Sequence, residues 1–402
     1  MKTIRISHLF LLFGILIISC SKAQQTDEIK ESTEDGPEIT EVKRYLHRVI
    51  LSWSAVNGSS RYEIRYAKNS SMEKAVVLKS GMTFLEVGGL DANQAYYWQT
   101  RAEINGGWTD WSPAKQAGTA SYATSVATYN ILGAEHDANI EPDFAWHLRR
   151  DAVRNIILQR NNNPDIIGVQ EARVQIGELV NLLKQDYHVH VSARSLSPQA
   201  IFWKPEKFEL IGFNDDIDIF GPSISGYTNQ RYVTQVRLRE LNTGTELLVY
   251  NLHIPSGSNA DRQQIRGTAA RNIVAHAKAQ ITRFKIPVIL LGDFNNYPET
   301  VIDGLPSSPM VIKGNGFQDV FDIADNRVNA DYGTTVNRVT SGARRGENGS
   351  MRVDYIFVYP SDQIAVTQQA TIINFEGSSS TLLERPIPSD HHPVRAVLHL
   401  SY

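Results

Sequence analysis

Two apolar runs constrain this chain more than any other feature: Leu247-Leu248-Val249-Tyr250, which stops at Asn251, and Ile289-Leu290-Leu291, which stops at Gly292. Near-continuous runs of this length suit strands buried on both faces, and such strands belong to sheets covered by helices. Around them, strand-like runs (SVATYN, DIIGVQ, AIFWK, TQVRL, ELLVYNLH, PVILLGD, RVDYIFVY, PVRAVLHL) alternate with helical stretches at Asp151 to Gln159, Gly177 to Lys184 and Asp261 to Ala279. This alternation predicts an α/β or α+β domain over residues 120–402, with no internal repeat.

Before Thr119 the pattern differs. VILSWSAV, RYEIRYA, AVVLKS, TFLEVGGL and AYYWQTRAE are short alternating runs broken by turn residues, which predicts an all-β sandwich over 37–119. Trp53, the run Tyr62-Glu63-Ile64-Arg65-Tyr66, and Leu90 six residues before Tyr96 make this stretch resemble the fibronectin type III module. The resemblance implies a core Trp and a Tyr hydroxyl returning to backbone near the Leu. Trp98, Trp108 and Trp111 fit a sugar-binding face or, more simply, core and edge packing, so the module reads as a spacer.

A chain of 402 residues, 42% of them hydrophobic, is long enough for two or three domains. Lys plus Arg number 40 against 43 Asp plus Glu, a net charge of -3, which excludes a basic nucleic-acid coat and a polybasic membrane binder. Any anionic substrate must be met by local positive charge. Cys20 is the only cysteine, so a monomer can form neither a disulfide nor a Cys-ligated cluster, and a metal site must use oxygen and imidazole.

Lys2 and Arg5 precede an apolar run from Leu9 to Ile18, too short for a retained transmembrane helix, and Ser19-Cys20 follows. Residues 1–20 therefore read as a secretory signal. Ile17-Ile18-Ser19-Cys20 resembles the lipobox of bacterial lipoproteins, which implies lipidation of Cys20, a membrane lipid anchor, and an exported protein at the outer membrane or cell surface. The alternative is a plain secretory signal with an incidental cysteine. Residues 21–36, polar and acidic, read as a disordered tether.

Chemistry-bearing residues fall where the apolar runs stop. Asn130 ends the first, Glu171 follows the second, His253 ends ELLVYNLH, and Asp293 with Asn295 follows VILLG. Asp354 lies inside RVDYIFV, and Ser389-Asp390-His391 precedes the last run. Singly, each has a bland reading: a turn-forming Asn, a capping Asp, a packed His. Together they are expected to converge on one sheet edge, where α/β proteins hold their sites.

TYNI, VQE, NLH, GDFNN, RVDYIFV and SDHHPV, in this order, resemble the endonuclease/exonuclease/phosphatase superfamily. That group includes pancreatic deoxyribonuclease, abasic-site endonucleases, bacterial sphingomyelinases and inositol polyphosphate phosphatases. The resemblance implies a four-layer α/β sandwich, two packed β-sheets flanked by helices. It also implies Mg²⁺, or Mn²⁺ or Ca²⁺, held by Glu171, with Asn130 beside it contacting metal or substrate phosphate and Asp390 as a further ligand or electrostatic support, hard oxygen donors that suit such cations. Asp293 is then expected to polarise water, Asn295 to bond the phosphoryl group, and His391 to act as base or donor oriented by Asp354. His253 is expected to be the opposing acid or phosphate donor. His392 reads as structural.

Arg231, just before a strand, resembles an arginine of pancreatic deoxyribonuclease that meets a substrate phosphate, and Arg173 resembles the arginine in that enzyme's QEVRD segment. The alternative for both is a surface salt bridge. The sequence departs from that enzyme at Ser195-Leu196-Ser197-Pro198-Gln199, which offers no carboxylate to orient the first histidine, and in having no disulfide cysteines. No WCDR segment stands where RVDYIFV does, which disfavours inositol phosphates, and no long apolar membrane-docking hairpin is evident. The expected function is an exported divalent-metal-dependent phosphodiesterase. Its expected substrate is nucleic acid, with no obligate protein partner. Alternatives are a phospholipase C or sphingomyelinase-type phosphodiesterase and a catalytically inactive surface adhesin.

Overall fold

The computed structural model describes residues 36–400 except 45–46, 92–93, 120–122, 140–143, 159–161, 193–198, 221–231, 337–343, 348–349, 361–363, 378 and 380–382. Cys20, most of the polar stretch 21–36, residues 195–198 and Arg231 lie outside the described residues.

The C-terminal part is built on two sheets. One has seven strands in the order His188–Val191, Ala200–Trp203, Ile166–Gln170, Ala123–Asn130, Val394–Leu400, Ile364–Thr371, Asn326–Val328. The other has six: Phe208–Asp218, Tyr232–Glu240, Glu246–His253, Val288–Asp293, Asp354–Tyr359, Gln318–Asp319. In each, the most apolar runs form a parallel pair, Ala123–Asn130 beside Ile166–Gln170 and Glu246–His253 beside Val288–Asp293; in the seven-stranded sheet Asn326–Val328 and Ile364–Thr371 form a second. Every residue of Ile166–Gln170 and Val288–Asp293 is buried, because both faces of these strands are covered.

Side chains alternate between two environments, as the pleat requires. Val126 and Ile166 of one sheet and Val249, Ile289, Leu291 and Ile356 of the other share a core between the sheets. On the far side of the seven-stranded sheet, Tyr129, Ile167 and Val169 meet the helices Trp146–Leu158 and Ile176–Leu183 through Val153, Ile157 and Leu179. On the far side of the six-stranded sheet, Tyr250, Leu252 and Leu290 meet the helix Ala260–Phe284 through Ile265, Ala269 and Ile273.

The sheets come very close at Gly168, where a Cβ would sit 2.1 Å from Leu291 Cδ1 and 2.9 Å from the Asn251 amide. Buried amides bridge the sheets there. Gln170 Nε2 donates to Asn251 Oδ1 at 2.6 Å, and Asn251 Nδ2 donates to the Val169 and Ala200 carbonyls at 2.9 and 3.0 Å.

The structure differs from the sequence expectation in instructive places. The first helix starts at Trp146 rather than Asp151, and the added turn buries its own Trp146 and Arg149. The third runs Ala260–Phe284, with the Asn259 side chain accepting from the Arg262 N–H at 2.9 Å to cap its start. The strands His188–Val191, Phe208–Asp218 and Ile364–Thr371 were not expected; each carries polar residues on a partly exposed side, which blurs the apolar rhythm.

The N-terminal part holds a three-stranded sheet (Ile39–Arg44, Val49–Trp53, Phe84–Val87) and a second sheet that includes Val76–Ser80, Tyr62–Ala67, Ala95–Ile104 and Lys115–Gly118. Trp53, Tyr62, Ile64, Leu90, Tyr96 and Trp98 fill one core. The Tyr96 hydroxyl accepts from the Asp91 N–H at 3.0 Å, beside Leu90. Trp98 is fully buried and donates to the Ala117 carbonyl at 2.7 Å. The guanidinium groups of Arg65 and Arg101 both lie 4.4 Å from the Trp111 ring centroid, and that of Arg101 lies 4.9 Å from Trp108, so these rings serve as packing surfaces for arginine.

Candidate active site

Strand register assembles the site. Parallel pairing sets His253 beside Asp293, and antiparallel pairing sets Asp293 beside Asp354, so three ionisable residues form one row at an end of the six-stranded sheet. In the facing sheet Asn130 pairs with Gln170, and Glu171 leaves the strand at φ 58°, a left-handed conformation that costs a non-glycine residue roughly 1 kcal/mol. Gly292, at φ 152°, permits the close pairing just before Asp293: a Cβ there would meet the Leu252 carbonyl oxygen at 2.0 Å.

These groups were expected on one sheet edge. They stand instead at one end of two facing sheets, because the two apolar parallel pairs run the same way and their ends coincide. Asn130 spans the gap: its Nδ2 donates to Glu171 Oε1 at 3.0 Å and to Asp293 Oδ2 at 3.1 Å. Its Oδ1, the atom a cation would need, accepts from the Leu132 N–H at 3.1 Å.

Two overlapping clusters result, Glu171–His253–Asp293 and Asp293–Asp354–His391, in each of which ligand-type atoms lie within 4.8 Å of one another. His253 Nε2 is 3.6 Å from both Glu171 Oε1 and Asp293 Oδ2. His391 Nδ1 is 2.9 Å from Asp354 Oδ2, which turns Nε2 toward Asp293, 4.0 Å away. Asn295 secures Asp293, its N–H donating to Oδ1 at 2.8 Å and its Nδ2 to Oδ2 at 3.0 Å. A second bond from Nδ2 reaches the Ile254 carbonyl at 3.0 Å.

Burial sets the charge balance. It would raise the Glu171 carboxyl, but the His253 imidazole, the Asn130 amide, His391 and the Gly133 N–H outweigh it and hold Glu171 at about 2. Burial and the adjacent Asp354 push Asp293 upward, against His391 and His253. Burial opposes charge on His391, yet Asp354, through charge and hydrogen bond, lifts it well above an ordinary imidazole. Buried carboxylates with imidazole and no thiol form a donor set that fits a hard divalent cation, which would also relieve the repulsion that raises Asp293. Glu171, Asp293 and His253 are the side chains that could hold it.

Asp390 belongs to neither cluster. Its Oδ1 faces Ser389 Oγ at 3.4 Å, and its charge helps to raise His391. His392 is buried and pushed down to about 3 by burial and by His391, and its N–H donates to the Thr334 carbonyl at 2.7 Å. Arg173 is exposed. Gln199, with its amide oxygen turned to the chain, accepts from the His253 N–H at 3.0 Å. Three neighbours carry no strand-end signal in the sequence. His136 Nε2 is 3.8 Å from Glu171 Oε2, Gln175 Nε2 donates to the Glu171 carbonyl at 2.9 Å, and Thr334 Oγ1 accepts from the Asp354 N–H at 3.1 Å.

The sequence profile of the endonuclease/exonuclease/phosphatase family matches residues 127–391, which takes in both clusters and Asn130, Asn295 and Asp390. The chain belongs to this family. Solved structures of similar fold include a family protein from Bacteroides thetaiotaomicron, 23% identical with a TM-score of 0.56, the match covering 70% of this chain and 99% of that one. A mannosyl-6-phosphatase from the same organism is 23% identical with a TM-score of 0.55, over 68% of this chain and 99% of the other. A family protein from Bacteroides vulgatus is 20% identical with a TM-score of 0.54, over 69% and 99%. Comparison with curated proteins gives no match. Family membership makes the protein a hydrolase of the phosphoesterase type.

Proposed function

We propose that this hydrolase is a divalent-metal-dependent phosphodiesterase whose substrate is nucleic acid. The observation that carries the reading is the buried row His253–Asp293–Asp354, paired in register and completed by His391 and Glu171 from the facing sheet. A bound Mg²⁺ or Mn²⁺ would neutralise the non-bridging phosphoryl oxygens as charge builds. Glu171 and Asp293 would hold it, which leaves the His253 Nε2–H for the phosphate; Asn130 and Asp390 support the carboxylates by hydrogen bond and charge.

Asp293 accepts a hydrogen bond from the attacking water and so aims and polarises it. Asn295 keeps its carboxylate aimed. Asp354 accepts from Nδ1–H of His391 and so fixes the tautomer that presents Nε2–H to the phosphoryl oxygen or leaving group. His253 donates from the opposite side. Arg231 is assigned to a neighbouring phosphate.

A cavity of about 570 Å³ beside Pro298 is lined by Arg344, Arg345 and Arg352 but also by Asp331 and Glu347, with Arg344 paired to Asp331 at 3.5 Å and Arg352 to Asp319 at 2.7 Å, so Arg345 is the lining cation that supports an anionic substrate. The four-layer arrangement of helices and sheets, lipidation at Cys20, the tether, the fibronectin type III-like spacer and display at a bacterial outer membrane complete the reading. The similar fold of a mannosyl-6-phosphatase brings sugar phosphates into the test. Plasmid DNA, RNA, sphingomyelin, bis-nitrophenyl phosphate and mannose 6-phosphate are each incubated with the purified protein and Mg²⁺. Turnover of DNA or RNA supports the proposal. Turnover of only the lipid or only the sugar phosphate overturns the nuclease reading, and turnover of none overturns the enzyme.

A further inference from the structure

Arg149 is completely buried in the helix Trp146–Leu158, and among the described residues no carboxylate lies within salt-bridge distance of it. Its guanidinium is satisfied by backbone alone. Nε donates to the Phe144 carbonyl at 2.6 Å, Nη2 to the Leu132 carbonyl at 2.5 Å, and Nη1 to the carbonyls of Ile131 and, at 3.0 Å, Pro388. The Trp146 ring stands 5.3 Å away. An arginine held this way is costly to bury, and a lysine in its place, with three donors on one nitrogen, cannot span the same carbonyls.

The carbonyls belong to the segments that carry the site. Ile131 and Leu132 follow Asn130, and the next N–H, of Gly133, donates to Glu171 Oε2 at 3.1 Å. Pro388 precedes Ser389-Asp390-His391. Ser389 closes the same junction, its Oγ donating to the Asn130 carbonyl at 2.7 Å and accepting from the His391 N–H at 3.1 Å. Burial pulls the Arg149 guanidinium below its ordinary value, and Tyr129, Asp137, Asp390 and Glu171 act in part against that, so the cation faces the negative charge behind the site.

We propose that Arg149 is a positioning residue, a latch that fixes the Asn130–Gly133 segment against the Pro388–His391 segment and so sets the spacing between Glu171 and His391. Its catalytic consequence rests on the reading of the site as a metal-dependent phosphoesterase; the latch itself does not.

Hydrogen exchange of the intact protein without metal tests the latch directly. Arg149→Lys should speed exchange in peptides covering 128–136 and 386–393 and leave the sheet cores unchanged. Unchanged exchange in both peptides overturns the proposal. Should Arg149→Lys fail to fold, Ser389→Ala loosens the same junction, and slow exchange there in that variant overturns it equally. Function is read at a temperature well below melting, by Mn²⁺ binding without substrate and by kcat and KM separately. Arg149→Lys should weaken Mn²⁺ binding about fivefold or more and cut kcat about tenfold or more with little change in KM. In the double variant with Ser389→Ala the kcat losses should fall well short of additive. A lower melting temperature with Mn²⁺ affinity and kcat intact reduces Arg149 to a structural residue and overturns positioning. If the wild type binds no Mn²⁺ and cleaves nothing while the exchange result holds, the functional reading fails and the latch stands.

Discussion

His391 and Asp354 act as one unit on this account, because a carboxylate 2.9 Å from Nδ1 matters only through the imidazole it orients. His391→Ala is expected to lower kcat by ~10²-fold or more and leave Mn²⁺ affinity largely intact, and Asp354→Asn to be milder. Steady-state kinetics of the double variant should show losses far from additive; simple addition would separate the pair. Glu171 behaves differently, since it serves the cation. Its carboxyl is held at about 2 against an ordinary 4.5, so the charged form is favoured in the folded state. A depressed carboxyl stabilises the fold above about pH 4.5, and the contribution, roughly 3 kcal/mol, disappears as pH falls toward 2. Urea unfolding at pH 7 and pH 3 should therefore show the gap between wild type and Glu171→Gln narrowing on acidification. A gap that widens would place the Glu171 charge elsewhere.

At the scale of elements, the site exists because two strand ends in each sheet stop together. Gly292→Ala would drive a Cβ to 2.0 Å from the Leu252 carbonyl, and about 3 kcal/mol of lost stability is expected, read by thermal or urea unfolding. The loss should be accompanied by lower activity, because Asp293 follows directly; an unperturbed variant would mean the two strands tolerate separation. What the sequence made legible was the buried strands, since ILLGD and LLVYNLH have no other way to lie, and the polar residues at their ends. The exposed strands were not legible. Nor was the division of the site between two sheets, because period-two patterning tells which face a residue takes but not which sheet lies opposite. His136 comes from the short 3-10 helix Ala134–Asn139 and Gln175 and Thr334 from turns and bends, where no periodicity marks a residue as close to Glu171 or Asp354. The arginines around Trp111 were equally hidden, since a cation stacked on a ring leaves no spacing signal.

At the scale of the whole molecule, the reading is of a phosphoesterase held on a lipid-anchored stalk. If Cys20 carries acyl chains, Cys20→Ala should move the protein from the membrane fraction into the medium or stall its processing, as fractionation and immunoblotting would show. Membrane association unchanged in that variant contradicts the anchor but leaves the enzyme untouched. The enzyme stands on a different measurement. Protein stripped with EDTA and dialysed free of metal is titrated with Mg²⁺ while phosphodiester hydrolysis is followed, beside Glu171→Gln treated the same way. The account predicts no turnover before the metal is added, saturable recovery with it, and a clear shift to higher Mg²⁺ for Glu171→Gln. Full turnover by the stripped protein, or identical Mg²⁺ curves for the two proteins, would contradict it.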